Sequence, residues 1–192
     1  SFDLNAFDRL INPKTRLIVL NTPGSNPTGS VIPLEDLKHI AEAAIKYDCW
    51  VLADEIYENI VYDDLRVPSI LTLPGMAERT IIADGFSKTY AMTGWRMGYA
   101  IMPEALATRV EMLVTHGTGS TAEFTQLAGV QAIRGDQSEC KEMVKAYQTR
   151  RDQIVAGLNS IPGVHCLSPK AAFYAFPNIK SFGIHSNELA AR

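Results

Sequence analysis

The sequence predicts an α/β fold: a mostly parallel sheet with flanking helices, followed by the start of a small α+β region. Three observations carry that expectation. Apolar runs of strand length recur and are bounded by Gly, Pro, Asn or Asp; a helical repeat separates the first two; and the period turns helical after the last. The runs lie at 17–20, 50–53, 80–83 and 98–101. Each is apolar on both faces, the pattern of buried parallel strands.

Over 34–47, Leu34, Leu37, Ile40, Ala41, Ala44 and Ile45 repeat at helical spacing, and Pro33 can open the first turn. Strand, helix, strand at this length is a βαβ unit with a right-handed crossover. Beyond Ile101, Leu106, Val110, Leu113 and Val114 form one helical stripe, and Phe124, Leu127, Ala128 and Ile133 a second, with a Gly-rich polar loop from His116 to Ser120 between them. A longer helical pattern over 138–158 carries Met143, Val144, Tyr147, Ile154 and Leu158 on one side and many charges on the other, which suits a link between two domains. After the break at Ile161-Pro162-Gly163, residues 164–167 and 173–176 read as strands. The expected organisation is a large domain over 1–137, a connecting helix over 138–160 and the start of a small C-terminal domain over 161–192.

With 46% hydrophobic and 20% charged residues, the composition supports one sizeable core. A net charge of -3 without a run of like charges argues against nucleic acid or an acidic membrane as partner, and favours a small polar substrate or cofactor. Cys49, Cys140 and Cys166 lack metal-ligand spacing, so no metal is expected; an odd number of thiols indicates a reducing, cytoplasmic setting. No stretch approaches the roughly twenty apolar residues of a membrane span. The start, Ser1-Phe2-Asp3-Leu4, is neither a signal nor a transit peptide and reads like mid-domain sequence, so a non-native N-terminus is expected.

In open parallel sheets ligands bind beyond the carboxyl ends of the strands. After Leu20 comes Asn21-Thr22-Pro23-Gly24-Ser25-Asn26-Pro27-Thr28-Gly29; after Ala53, Asp54-Glu55-Ile56-Tyr57; after Ala83, Asp84-Gly85-Phe86-Ser87-Lys88; and further on, Arg96 stands within Gly94-Trp95-Arg96-Met97-Gly98-Tyr99. Each alone has an ordinary explanation. Residues 26–29 make a good turn. Asp54 can cap a following helix, and Tyr57 can be a half-buried aromatic with a wet hydroxyl. Lys88 can be a solvated surface group and Arg96 half of a surface ion pair.

Together, in this order and at these strand ends, Asn-Pro-Thr-Gly at 26–29, Asp-Glu-Ile-Tyr at 54–57 and Ser-Lys-Thr-Tyr-Ala-Met-Thr-Gly-Trp-Arg-Met-Gly-Tyr at 87–99 resemble the class I and II aminotransferases. These are fold-type I, aspartate aminotransferase-like enzymes that use pyridoxal 5'-phosphate (PLP). The resemblance continues to Ala172-Phe173-Tyr174-Ala175-Phe176 and so spans nearly the whole chain. It implies an incomplete PLP-binding large domain, a homodimer, and amino-group transfer between an amino acid and a 2-oxo acid in amino-acid metabolism and biosynthesis. Lys88 would hold the cofactor as a Schiff base and, once freed, carry a proton between the substrate α-carbon and the cofactor. Asp54, a buried carboxylate, would keep the pyridine nitrogen protonated. Asn26 and Tyr57 would donate to the phenolate oxygen, and Arg96 would take the phosphate.

The chain departs from the family pattern in three ways. The loop between Pro23 and Asn26 is one residue longer than usual; Gly85 stands where many relatives carry a phosphate-binding hydroxyl, leaving Ser87 as the substitute; and Pro169-Lys170-Ala171 lacks the usual glycine. Family members also carry, outside the stretch matched here, a ring-stacking aromatic, a phosphate-cradling loop and the arginine that grips the substrate α-carboxylate. Little or no turnover is therefore expected of these 192 residues alone. Two other readings keep the cofactor: a lyase or aminocyclopropane-carboxylate synthase, and the PLP-sensing domain of a transcription regulator.

Overall fold

In the computed structural model, which describes residues 2–191, the first of six α-helices, α1 (Leu4–Leu10), precedes a four-stranded sheet. The sequence patterns did not announce this helix. Asp3 caps it, its carboxylate accepting from Ala6 N at 2.9 Å. Then follow β1 (Leu17–Asn21), α2 (Leu34–Lys46), β2 (Trp50–Asp54), β3 (Thr80–Gly85) and β4 (Gly98–Ile101), in spatial order β1-β2-β3-β4. Three helices complete the main framework: α3 (Glu104–Gly117), α4 (Glu123–Arg134) and α5 (Ser138–Asn159). A short α6 (Ser186–Ala190) comes last.

The βαβ unit forms as its pattern requires. Pro33 is extended and opens α2, Glu35 and Asp36 lie in its first turn and Lys46 in its last, each complementing the helix dipole. Leu37, Ile40, Ala41 and Ala44 form its buried stripe, packed on Ile18, Leu20, Val51, Ala53 and Ile82 from the sheet.

Two expectations about the strands are corrected. First, β1, β2 and β3 pair parallel but β4 pairs antiparallel with β3, Gly85 opposite Gly98 and Ile82 opposite Ile101. The connection between them is a compact loop closed by Phe86 N to Met97 O, and it holds only a short turn at 93–95 where a parallel crossover would ordinarily carry an α-helix. Second, the sheet is not covered on both faces. Burial alternates along β1, where Ile18 and Leu20 are buried while Leu17 and Val19 are 47% and 63% exposed, and every residue of β4 is exposed. Apolar sequence on both faces thus coexists with helix cover on one.

The strands expected at 164–167 and 173–176 are absent among the described residues. Their neighbourhood offers only single antiparallel bridges, His165 with Asn178 and Val61 with Ala171, and a strand needs a ladder to persist. What orders this region instead is a second apolar cluster of Tyr57, Ile60, Tyr62 and Ala172, with Val144 and Tyr147 of α5 against it. At its edge the buried Arg151 makes a two-pronged bond to Asp63 at 2.8 Å on each arm, lies 4.8 Å from the Tyr62 ring centre and also pairs with Asp152. These bonds hold the Asp63 carboxyl below its usual range. No helix among the described residues is long and apolar enough to cross a membrane.

Replacing Arg151 by Ala is expected to lower unfolding free energy by about 2–3 kcal/mol in urea titrations, because the buried guanidinium holds α5 against the post-β2 segment. Asp63→Ala should cost less, since Asp152 and the Pro169 carbonyl still receive the arginine.

Candidate functional site at the carboxyl edge of the sheet

Parallel registration aligns the ends of the first three strands. Asn21 pairs with Asp54, and Asp54 with Ala83, so the segments leaving β1, β2 and β3 emerge side by side. The antiparallel turn of β4 brings the residues before it to the same edge: Met97 adjoins Phe86, with Arg96 and Lys88 just beyond on either side. A parallel β4 would have carried Arg96 to the opposite edge.

Asp54 is half-buried at the end of β2 rather than fully buried. Its Oδ2 accepts from Asn21 Nδ2 at 3.2 Å and its Oδ1 from Ile56 N at 3.3 Å, which fixes the carboxylate while leaving lone pairs open. The same Asn21 accepts from Asn26 N at 3.0 Å through its Oδ1. Asn21 therefore connects two of the predicted site residues, and nothing in its own motif marked it. Asn26 itself is exposed, ahead of Pro27.

Tyr57 is buried, and its hydroxyl lies 2.5 Å from that of Tyr174. Burial pushes its pKa up, and the Tyr174 hydroxyl adds to the rise. The Phe173 ring meets Tyr57 edge-on at 5.4 Å between centroids, and Lys88 Nζ stands 5.7 Å from the same ring. Phe173 is thus the surface on which Lys88 and Tyr57 meet. The segment that supplies it is stitched down firmly: Lys170 N and Ala171 N donate to Gly29 O, and Ala172 N to Ile60 O. A Cβ on Gly29, whose φ is +61°, would fall 2.3 Å from Pro169 Cβ, so glycine is needed where these loops touch. The missing glycine after Lys170 is met differently: Ala172 takes the positive φ, 59°, held by its hydrogen bonds.

Ser87 and Lys88 lie half-buried in the turn after β3. Gly85 has a steric reason: a Cβ there would come within 3.0 Å of Gly98 Cα and 3.1 Å of Met97 O. Any hydroxyl-bearing side chain would push β4 away. Arg96 is exposed in the left-handed region, φ 52°, with its guanidinium donating to Thr93 O at 2.9 Å.

Two acids, Asp84 half-buried and Glu55 buried, flank the site and escaped sequence reasoning. Asp84 accepts from Tyr99 Oη at 2.6 Å and from Gly85 N, and burial raises its pKa despite both donors. Glu55 is buried and accepts from Ser69 Oγ at 2.6 Å; burial lifts its pKa to about 7. Among the described residues no group of three or more His, Cys, Asp and Glu could hold a metal ion. A cavity of about 410 Å³ lies next to the site, sharing Phe173 and Tyr174 with it, and is lined on its far side by Tyr147, Arg150 and Arg151.

Comparison with known proteins gives consistent results. The family model described as "Aminotransferase class I and II" matches residues 1–190. An aspartate aminotransferase of Musicola paradisiaca is 42% identical over 91% of this chain and 43% of its own length. An aromatic-amino-acid aminotransferase of Thermococcus litoralis is 40% identical over 97% of the chain and 48% of its own. The crystal structure of an aromatic aminotransferase from Pyrococcus horikoshii superposes with a TM-score of 0.95 at 36% identity, covering 100% of this chain and 51% of that one. The chain spans about half the length of the relatives it matches.

Glu55 sets a pH dependence. A carboxyl whose folded pKa is raised contributes stability that is full below its ordinary value of 4.5 and is lost as pH rises through about 7. Glu55→Gln keeps a carbonyl acceptor for Ser69 without the ionisation. The variant is expected to match the parent near pH 4.5 and to exceed it by about 1–3 kcal/mol at pH 8 in unfolding titrations.

Proposed function

The chain belongs to the class I and II aminotransferase family, whose members use PLP, and from that premise we propose that it is the cofactor-anchoring part of an aminotransferase that moves an amino group between an amino acid and a 2-oxo acid. The observation that carries the reading is the convergence, at one sheet edge, of a carboxylate fixed by Asn21 and of an amine and a phenol gathered on one aromatic ring. The donor set fits the cofactor: an amine for its aldehyde, a carboxylate for its ring nitrogen, a phenol for its ring oxygen and a guanidinium for its phosphate.

Bound PLP supplies the electron sink that lets the substrate α-carbon release a proton. Lys88 would hold the aldehyde carbon through Nζ and, when free, would move the proton at the α-carbon. Asp54 keeps a proton on the pyridine nitrogen, and Asn21 keeps that carboxylate from turning away. Tyr57 and Asn26 donate to the phenolate oxygen. Arg96, whose guanidinium donates to Thr93 O, would hold the phosphate, with Ser87 as an added donor. The division into a large domain over 1–137, a connecting helix over 138–160 and a small domain from 161 belongs to the same reading, as does a homodimer. Its free thiols, Cys49, Cys140 and Cys166, support a cytoplasmic setting.

The test uses the natural polypeptide at full length, with aspartate and aromatic amino acids as amino donors, the classes named for its relatives. Consumption of the donor with formation of its 2-oxo acid is the expected result, together with cofactor covalently attached after borohydride reduction. Lys88→Ala should abolish that attachment; cofactor still bound covalently in this variant would overturn the lysine assignment. Asp54→Asn is expected to lower turnover at least about 100-fold while retaining attachment. The isolated 192-residue chain should give little or no turnover.

A further inference from the structure

Tyr174 has no part in the cofactor contacts assigned above, yet its hydroxyl bond to Tyr57 is the shortest link between the post-α5 segment and the site. Tyr174 is brought there by a rigid path. Ala172, two residues earlier, is buried, receives the Tyr62 hydroxyl on its carbonyl and donates to Ile60 O at 2.8 Å. The Tyr174 ring then packs edge-on against Tyr57 at 5.7 Å and beside Phe173 at 5.1 Å. The two oxygens do not meet by chance motion of an exposed loop.

A phenol carries one proton to donate, while its oxygen can also accept. Two arrangements of the pair are therefore possible. If Tyr57 donates to Tyr174, its proton is spent and its lone pairs face outward. If Tyr174 donates to Tyr57, the Tyr57 proton is free to point into the site. An anionic oxygen placed there selects the second arrangement, and a chain of two donors in sequence polarises each phenol in turn.

Resting on the reading of the site as a PLP site, we propose that Tyr174 is a positioning residue: by donating to Tyr57 Oη it turns the Tyr57 proton towards the cofactor's phenolate oxygen. Tyr174 thereby strengthens the donation that favours the anionic ring oxygen. The ionisable groups facing Tyr57 are Tyr174 from the post-α5 segment and Asp54 from β2, with Lys88 reaching the adjoining Phe173 ring. Burial keeps Tyr57 protonated, so that it retains a proton to donate while its oxygen accepts from Tyr174.

The measurement is the pH midpoint of the cofactor absorbance change in the full-length, cofactor-loaded protein, compared among parent, Tyr174→Phe, Tyr57→Phe and the double variant. Phe at 174 keeps the ring contacts and removes only the hydroxyl. Its protonation equilibrium is expected to shift about threefold towards the protonated form, a part of the roughly fivefold effect of a whole neutral hydrogen bond. Tyr57→Phe should shift it further, and the double variant should equal Tyr57→Phe, because Tyr174 acts only through Tyr57. An unchanged midpoint in Tyr174→Phe beside a shifted one in Tyr57→Phe overturns the role of Tyr174 and leaves the cofactor site standing. Independent, additive shifts overturn it too. Absence of a pH-dependent cofactor band in the parent, or covalent attachment surviving in Lys88→Ala, overturns the site reading itself.

Discussion

The hydrogen bond from Asn21 to Asp54 depends on, and reports, the constraint from which the rest of the site follows: β1, β2 and β3 end in register. Register in a sheet is set in steps. A slip of one residue turns every side chain to the other face, and a slip of two moves a strand end by about 7 Å. Either would separate Asn21 from Asp54 and remove the anchor that Asn26 finds on Asn21 Oδ1. The buried alternation of Ile18, Leu20, Val51, Ala53 and Ile82 under α2 resists both slips, since each would expose that set or misalign it with the helix stripe. Packing on one face of the sheet thus decides geometry at its end.

The sheet supplies only half of the arrangement. Phe173 and Tyr174 are more than a hundred residues from Tyr57 in sequence and reach it because residues 169–172 are fastened to Gly29 and Ile60, and because Arg151 ties α5 to Asp63. Two deviations from easy backbone geometry, Gly29 at positive φ and Ala172 likewise, sit at this junction. Strain of this kind, of order 1–2 kcal/mol for the alanine, persists only where surrounding bonds over-determine the conformation. The carbonyl and amide of Ala172 are both engaged, which is the over-determination required.

What the sequence made legible was what repeats or clusters along the chain. The β1–α2–β2 unit, the three later helices and the strand-end motifs around Asn26, Asp54, Lys88 and Arg96 could all be read from period and punctuation. Contacts made across the fold could not. Asn21 looked like the first residue of a loop, and its bidirectional amide becomes meaningful only once Asp54 is beside it. Tyr174 sat in a plain aromatic run, and Glu55 looked like the neighbour of a functional acid until burial, outweighing the hydrogen bond from Ser69, raised its pKa to about 7. The direction of β4 was misread because apolar composition reports burial potential and carries no arrow. The open sheet face was misread for a related reason: Leu17 and Val19 are as apolar as buried residues, and only the position of the helices reveals that nothing described here covers them.

That openness bears on chemistry as well as packing. Electrostatic interactions among Asp54, Tyr57 and Lys88 strengthen as water is excluded, because the same charges interact several-fold more strongly in a low effective dielectric than in bulk solvent. Here Tyr57 is buried, Asp54 and Lys88 are half-buried, and Arg96 and Asn26 are exposed. The residues closest to the aromatic cluster are thus sheltered by this chain's own packing, whereas Arg96 and Asn26 at the rim are not. Orientation and enclosure are separable tasks in this fold: the strand register, Asn21 and the Phe173 platform accomplish the first. The second requires cover over the rim and over the exposed apolar side chains of β1 and β4, and a chain spanning half the length of its relatives supplies only part of it.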